Sequence, residues 1–177
     1  IIGSSPSDSR PLYYASLLTA MQSARRQVWL CSGYFVPPHQ EREALAKIAR
    51  AGLDVRIIVP AFSDVQSAVF AARAAYGDLL EAGARIHEIR DAVVHAKMAV
   101  VDDTWTMIGS SNLDRRSVVF NNEADAVIIG HDAAQQVRTV MQGYMDAAAE
   151  VDLKQWEHRS LRERLLELEA RVWEYWM

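Results

Sequence analysis

Short apolar runs that alternate with helix-forming stretches are the feature of this sequence that most constrains its fold. The run VRIIVP at residues 55–60 is continuously apolar, as in strands that are buried on both faces of a sheet. Helical stretches flank it at about 39–51 and 65–82, and a glycine follows each of them, as is common at helix ends. Strands that alternate with helical crossovers predict an α/β domain.

The same patterns predict the remaining elements. On the N-terminal side, they predict a polar loop at 3–11, a helix from about Tyr13 to Arg25, and a strand at 28–35 that ends before Pro37 and Pro38. On the C-terminal side, they predict strands at 84–89, 93–103, 105–110 and 123–130, and helices at 131–150 and 152–176. The hairpin formed by 93–103 and 105–110 makes the sheet mixed. We therefore expect a mixed β-sheet with helices on both faces, a domain at 1–150, and a C-terminal amphipathic helix at 151–177.

The composition narrows the classes of partner. The formal net charge is -4, without the basic surplus of a domain that holds nucleic acid by its phosphates, so no nucleic-acid partner is expected. The single cysteine, Cys31, excludes an internal disulfide and a cysteine zinc cluster, and we expect neither a metal nor a cofactor. No apolar run reaches the roughly 18 residues of a membrane-spanning helix. Because the first residue is Ile, we expect the chain to be a piece of a longer protein.

The chemistry is concentrated in one segment, HAKMAVVDDTWTMIGSSN, which runs from His95 to Asn112. Residues two apart in an extended strand point to the same side, so His95 and Lys97 are predicted to project together. A histidine and a cation on one side of an apolar strand are costly to bury unless they meet an anionic partner. Lys97 offers a compact positive charge, and Ser110 and Asn112 offer hydrogen-bond donors. These groups together indicate a site for a phosphoryl group.

The spacing of this segment resembles the HxKx4Dx6GSxN motif of the phospholipase D superfamily at all six of its defined positions. The resemblance implies a phospholipase D-like half-domain in which one histidine attacks phosphorus and a second, from another motif, protonates the leaving alcohol. The resemblance assigns phosphate binding to Lys97, Ser110 and Asn112, and it implies four catalytic residues: His95, Lys97, Asp102 and Glu123. Within this set Glu123 orients the imidazole, and Asp102 is the motif aspartate, which tends to hold local structure.

Further segments resemble one branch, the bacterial cardiolipin synthases: SGYFVPP at 32–38, AGLDVRIIVPAFSD at 51–64, NLDRRS at 112–117 and NNEAD at 121–125. This resemblance implies transfer of a phosphatidyl group from one phosphatidylglycerol to the hydroxyl of another, with this chain supplying the second of two HxK motifs. It also implies peripheral contact with the bacterial inner membrane by the parent protein, on its cytoplasmic side, whereas the fragment itself is expected to be soluble.

Because the chain contains one HxK motif, it carries half a site. The other half is expected from a missing N-terminal half or from a homodimer mate, since a two-fold interface brings identical patches together. Two other functions remain open at this point. One is a homodimeric phospholipase D-like phosphodiesterase or nuclease, and the other is a non-enzymatic half-domain that acts as a scaffold.

The C-terminal region has its own pattern. Leu161, Leu165, Leu168 and Val172 form one apolar stripe of a predicted helix, and the charges opposite them are mixed in sign. Such a stripe is expected to pack on the domain or on a neighbouring chain. The alternative is a helix that lies in a membrane interface, which anionic lipid would favour only with a basic surplus that is not present.

Overall fold

The computed structural model describes residues 1–7, 11–160 and 165. The strands are β1 (Ile2–Ser4), β2 (Gln27–Cys31), β3 (Asp54–Pro60), β4 (Arg85–Ile89), β5 (Met98–Val101), β6 (Trp105–Gly109), β7 (Glu123–Ile129) and β8 (Ala149–Glu150). The helices are α1 (Leu12–Gln22), α2 (His39–Arg50), α3 (Gln66–Ala74), α4 (Tyr76–Glu81), α5 (Arg115–Val119), α6 (His131–Asp146) and α7 (Leu153–Glu157).

The strands form one eight-stranded sheet in the order β1-β7-β6-β5-β2-β3-β4-β8. β2, β3 and β4 are parallel, as expected when helices form the crossovers between them. β5 pairs antiparallel with β2, and β6 and β7 continue the antiparallel half of the sheet. Two short antiparallel strands, β1 and β8, form the edges. The mixed sheet predicted from the sequence is therefore confirmed.

Helices cover both faces of this sheet. Helices α1, α2 and α4 bury apolar side chains against one face, and α6 buries Val137 and Met141 against the other. The alternation along β2 shows the two layers directly, because Leu30 contributes to the first core and Trp29 to the second. Burial of a large aliphatic side chain such as Leu30 contributes roughly 1.5–3 kcal/mol to the free energy of folding, because its apolar surface is removed from water.

Several predicted elements have different bounds in the structure. Residues 2–4 pair with β7 as an edge strand, although 3–11 was expected to be a polar loop. The helix predicted at 65–82 is interrupted at Ala75, whose N–H bonds three residues back, to the Ala72 carbonyl. The helix predicted at 131–150 ends at Asp146, because the next residues add strand β8 to the exposed edge of β4 and satisfy its backbone groups.

The strand predicted at 93–103 is shorter than expected, and this changes where the motif lies. The pairing of β5 with β2 begins at Met98, which lies opposite Cys31. On the other side, the Gly109 N–H at the end of β6 donates to the Lys97 carbonyl at 3.2 Å. Beyond Cys31 the chain turns away, and the Val36 N–H bonds to the Leu113 carbonyl at 2.7 Å. Apart from this one bond at Lys97, residues 93–97 form no ladder with a described strand, and His95 and Lys97 lie in the loop that leads into β5.

Only part of the helix predicted at 152–176 lies within the described residues. That part is helical at Leu153–Glu157, which is α7, and at Leu165, but not at 158–160. The rest of the predicted helix and of its apolar stripe lies outside the described residues. The Trp156 ring packs at 5.1 Å from the Tyr76 ring, so the start of this region contacts the domain. Among the described helices, none has the length and apolar character needed to cross a bilayer.

Candidate active site

Four segments meet where β5 begins. They are the loop that contains His95 and Lys97, the turn after β6 at 110–114, the segment after β2 at 32–36, and the start of β7. Each follows or precedes a central strand, and the neighbouring strands hold these ends together. The sequence-predicted residues Lys97, Ser110, Asn112 and Glu123 all come from these segments.

Lys97 is buried, and its ammonium lies close to the backbone of the same loop. The Nζ atom donates a hydrogen bond to the His95 carbonyl oxygen at 2.7 Å, and an ammonium has further N–H groups to offer an anion. Burial lowers the pKa of Lys97, and the charges of Glu123 and Asp114 oppose that shift. A desolvated cation held in place in this way interacts more strongly with a phosphoryl group than a solvated one.

The His95 imidazole is exposed to solvent but held on one side. A Cβ atom at Gly33 would come within 2.9 Å of Nδ1, so this nitrogen lies against the Gly33 backbone. The Tyr34 ring meets the imidazole edge-on at 5.7 Å between centroids, and the Tyr34 hydroxyl donates to Asp64 Oδ1 at 2.9 Å. The imidazole is therefore bounded by Gly33 on its Nδ1 side and by the Tyr34 ring.

Asn112 is fixed in an orientation that leaves its donors available. Its Oδ1 accepts the Tyr34 N–H at 3.1 Å, and its own backbone N–H donates to Ser117 Oγ at 3.1 Å. The bond to Oδ1 fixes how the side-chain amide is turned, and the two N–H groups of Nδ2 are the donors that it can offer to an anion.

The glycine of the motif makes room for a buried carboxylate. A Cβ atom at Gly109 would lie 1.9 Å from Asp125 Oδ1. That carboxylate accepts hydrogen bonds from the Ser111 hydroxyl at 2.5 Å and from the Ser111 N–H at 3.3 Å. Burial raises the pKa of Asp125 while the bonds from Ser111 oppose the shift. The turn that carries Ser110 and Asn112 is therefore fastened to β7 through Asp125.

Ser110 and Glu123 contact each other and not the imidazole. The Ser110 hydroxyl donates to the Glu123 carboxylate and accepts the Ala124 N–H at 3.0 Å. The other Glu123 oxygen accepts from Asn121 Nδ2 at 3.1 Å. The hydrogen bond expected between Glu123 and His95 is not made in the described part of the chain, because both carboxylate oxygens are turned to neighbours on their own side. The Ser110 hydroxyl, expected to donate to phosphate, donates to Glu123.

Asp102 lies apart from these residues, at the opposite end of β5 and roughly 16 Å along the chain from Lys97 at the usual strand rise. Its carboxylate accepts the backbone N–H groups of Arg25, Arg26 and Gln27 at 2.7, 2.8 and 3.0 Å. Partial burial alone would raise the pKa of Asp102, but these donors outweigh it and hold the pKa below its usual range. Asp102 therefore joins the hairpin to the start of β2.

Four residues that shape the site were not predicted as site residues from the sequence: Gly33, Tyr34, Asp114 and Asp125. Asp114 caps α5, accepting the Ser117 N–H at 2.7 Å, and the pattern of an aspartate three residues before a serine could have indicated that cap. Gly33 and Tyr34 lie between an apolar strand and two prolines, a place where a loop residue is free to contact a site. Among the described residues, no cluster of three or more histidines, cysteines or carboxylates is arranged to hold a metal ion.

The comparisons with known proteins agree with this geometry. Residues 17–145 match the family described as the PLD-like domain of cardiolipin synthase. The chain therefore belongs to this family, within the phospholipase D superfamily.

Individual relatives within this family are similar to the chain over nearly its whole length. Cardiolipin synthase A of Proteus mirabilis strain HI4320 is 35% identical over 167 residues, and the protein of the same name from Erwinia tasmaniensis is 34% identical. In both cases the match covers 94% of this chain and 34% of the relative. The chain thus spans about a third of the length of these relatives.

Solved structures share the fold at low sequence identity. Phosphatidylserine synthase of Haemophilus influenzae Rd KW20 superposes with a TM-score of 0.77 at 16% identity, over 97% of this chain and 44% of that one. Nuc of Salmonella typhimurium, a phospholipase D family member, superposes with a TM-score of 0.68 at 19% identity, over 78% of this chain and 90% of that one. The α/β half-domain predicted from the sequence is confirmed by these likenesses.

Proposed function

We propose that this chain supplies one HxK motif to a phosphatidyltransferase that forms cardiolipin from two molecules of phosphatidylglycerol. The observation that carries the proposal is the convergence of His95, Lys97 and Asn112 around Gly33, in a chain that matches cardiolipin synthases over nearly its whole length. Lys97 and the Nδ2 group of Asn112 would bind the phosphoryl oxygens, and the imidazole of His95, an exposed residue, would face phosphorus.

The reaction consists of two displacements at phosphorus. In the first, the nitrogen of one histidine bonds to phosphorus, the bond from phosphorus to the glycerol oxygen breaks, and glycerol leaves with a proton from a second histidine. In the second, the hydroxyl of another phosphatidylglycerol bonds to phosphorus, the phosphorus–nitrogen bond breaks, and the hydroxyl proton returns to the second histidine. Lys97 and Asn112 stabilise the charge on the oxygens in both steps.

The second histidine must come from outside this chain's own motif. We propose that a preceding half of a longer protein supplies it, because the chain corresponds to about a third of its relatives and to 44% of the phosphatidylserine synthase structure. A second copy of the chain is the alternative source.

Glu123, whose charge acts on Lys97, would orient an imidazole of the completed site. Since both substrates are phospholipids, we place the parent protein at the bacterial inner membrane.

The test uses His95→Ala in the full-length protein, with His39→Ala as the matched control, because His39 is an exposed residue of α2. Products formed from phosphatidylglycerol are identified by mass spectrometry. Wild type and the control should release cardiolipin and glycerol, and His95→Ala should lose at least about 10³-fold in turnover through loss of the nucleophile or the acid. Undiminished turnover by His95→Ala would contradict the proposal. Cleavage of plasmid DNA without any cardiolipin would favour the nuclease.

A further inference from the structure

A cavity of about 220 Å³ opens beside the phosphoryl site and shares Asn112 with it. One wall is apolar and is formed by Val36, Val65 and Ala68, and the polar side includes Arg116 and Asn121. Pockets for drug-sized ligands measure about 300–1,000 Å³, so this cavity has room for a lipid headgroup and not for the acyl chains.

Asn112 connects the cavity to the chemistry. Its oxygen is held by the Tyr34 N–H, and Tyr34 also packs against the His95 ring and lines the same cavity. A molecule in the cavity therefore lies next to the amide that faces the phosphoryl group. An acceptor hydroxyl that reaches phosphorus from the cavity would pass beside this amide and the Tyr34 ring.

Arg116 gives the cavity its positive charge. The side chain is exposed, and its guanidinium forms no ion pair within residues 1–7, 11–160 and 165. Asp114 also lines the cavity, but its carboxylate is buried and capped onto the Ser117 N–H. Burial raises the pKa of Asp114, while the Ser117 bonds and the nearby Arg116 oppose that shift. Arg116 is therefore a charged donor group available to a ligand, and a guanidinium suits phosphate oxygens well.

The chemistry of the product requires two neighbouring anion positions. Cardiolipin carries two phosphates joined by one glycerol, so a site that makes it must hold both at the moment of transfer. Lys97 would bind the phosphate that is transferred. A second cation is needed for the phosphate that the acceptor already carries, whereas free glycerol and water carry none.

We propose that this cavity binds the glycerophosphate headgroup of the acceptor lipid, and that Arg116 binds the acceptor's phosphate and so selects an anionic phospholipid over glycerol or water. This inference rests on the proposed function. In it, the acceptor glycerol lies against Asn112, and its phosphate lies at Arg116. The leaving glycerol of the first step occupies the same place but is held more weakly, because it has no charge for Arg116 to bind.

The experiment compares two soluble acceptors in the full-length enzyme, with phosphatidylglycerol in detergent micelles as the fixed donor. Glycerophosphoglycerol is the anionic acceptor, and deuterated glycerol is the neutral acceptor that exchanges into phosphatidylglycerol. For Arg116→Gln we expect kcat/KM for the anionic acceptor to fall roughly tenfold to hundredfold, since hydrogen bonds to charged groups contribute about 1.5–3 kcal/mol. Exchange of glycerol should stay within about threefold of wild type, and Arg116→Lys should restore part of the loss.

Arg50→Gln is the matched control, because Arg50 is an exposed arginine at the end of α2. Equal losses with both acceptors, or no loss with either, would overturn the role of Arg116 while leaving the proposed function intact. A change in KM for the donor during glycerol exchange would likewise overturn it, since Arg116 would then bind the donor. Failure of the wild-type enzyme to form any cardiolipin, with glycerol exchange intact, would refute the proposed function itself.

Discussion

Gly33→Ala is the substitution that tests most directly how the imidazole is held. Gly33 is not part of the motif, yet its missing side chain is what allows the loop after β2 to lie against both motif residues. A Cβ atom there would approach His95 Nδ1 to 2.9 Å, the His95 Cα to 3.2 Å and Lys97 Nζ to 3.2 Å.

The size of the effect follows from these distances. Ordinary van der Waals contact begins near 3.4 Å, so the imidazole must move by about 0.5 Å. A displacement of 1 Å at a reacting group can cost about 10²-fold in rate, and half of that displacement implies a loss of roughly tenfold. The free energy of unfolding should change by about 1 kcal/mol or less, because reduced freedom of the unfolded chain offsets part of the crowding.

The assay measures kcat/KM for phosphatidyl transfer by the full-length protein together with the midpoint of urea unfolding. Gly143→Ala is the matched control, because the Cβ that it would add in α6 meets no atom within 4 Å beyond its own stretch of helix backbone. The control should retain full activity and gain slight stability from the better helix propensity of alanine. A Gly33→Ala enzyme with wild-type kcat/KM would refute the idea that the Gly33 backbone positions His95.

Two further substitutions test the supports of the site. Gly109→Ala should lower the free energy of unfolding by about 3 kcal/mol or more in urea titrations, because its Cβ would overlap the buried Asp125 carboxylate; a loss below 1 kcal/mol would contradict this packing. Asp102→Asn should lower the free energy of unfolding by about 1–3 kcal/mol, because it weakens the hydrogen bonds from the backbone N–H groups. The kcat per folded molecule should change little. Because the folded-state pKa of Asp102 lies below its unfolded value near 3.9, the wild type should lose this stability as the pH falls from about 4, and the variant should not.

Much of the fold and the clustering of the site were predictable from the sequence, because they depend on local patterns. The apolar run at 55–60 identified a buried strand, and two residues of the motif, Lys97 and Asn112, both lie beside the loop after β2. The start of β5 was not predictable, since it depends on where β2 leaves the sheet, which is a contact between distant parts of the chain.

The hydrogen-bond partners of the acidic residues could not be predicted from local sequence patterns either. Nothing near Glu123 in the sequence shows that Ser110 lies across the β6–β7 pair from it, and this contact replaces the one expected with His95. The role of Asp125 is hidden for the same reason, because it depends on the register that places it opposite Gly109. Cross-strand neighbours are set by register, which a single sequence specifies only through the whole sheet.

The length of β5 has a consequence for how a chain of this kind can change over time. Lys97 directly precedes this strand at one end, and Asp102 directly follows it at the other, where its carboxylate accepts the backbone N–H groups of Arg25 and Gln27. An insertion or deletion of one residue between them would rotate one end relative to the other and turn the alternate side chains to the wrong layer. We therefore expect the interval 98–101 to tolerate changes of residue type far better than changes of length, whereas loops elsewhere on the surface can accept both.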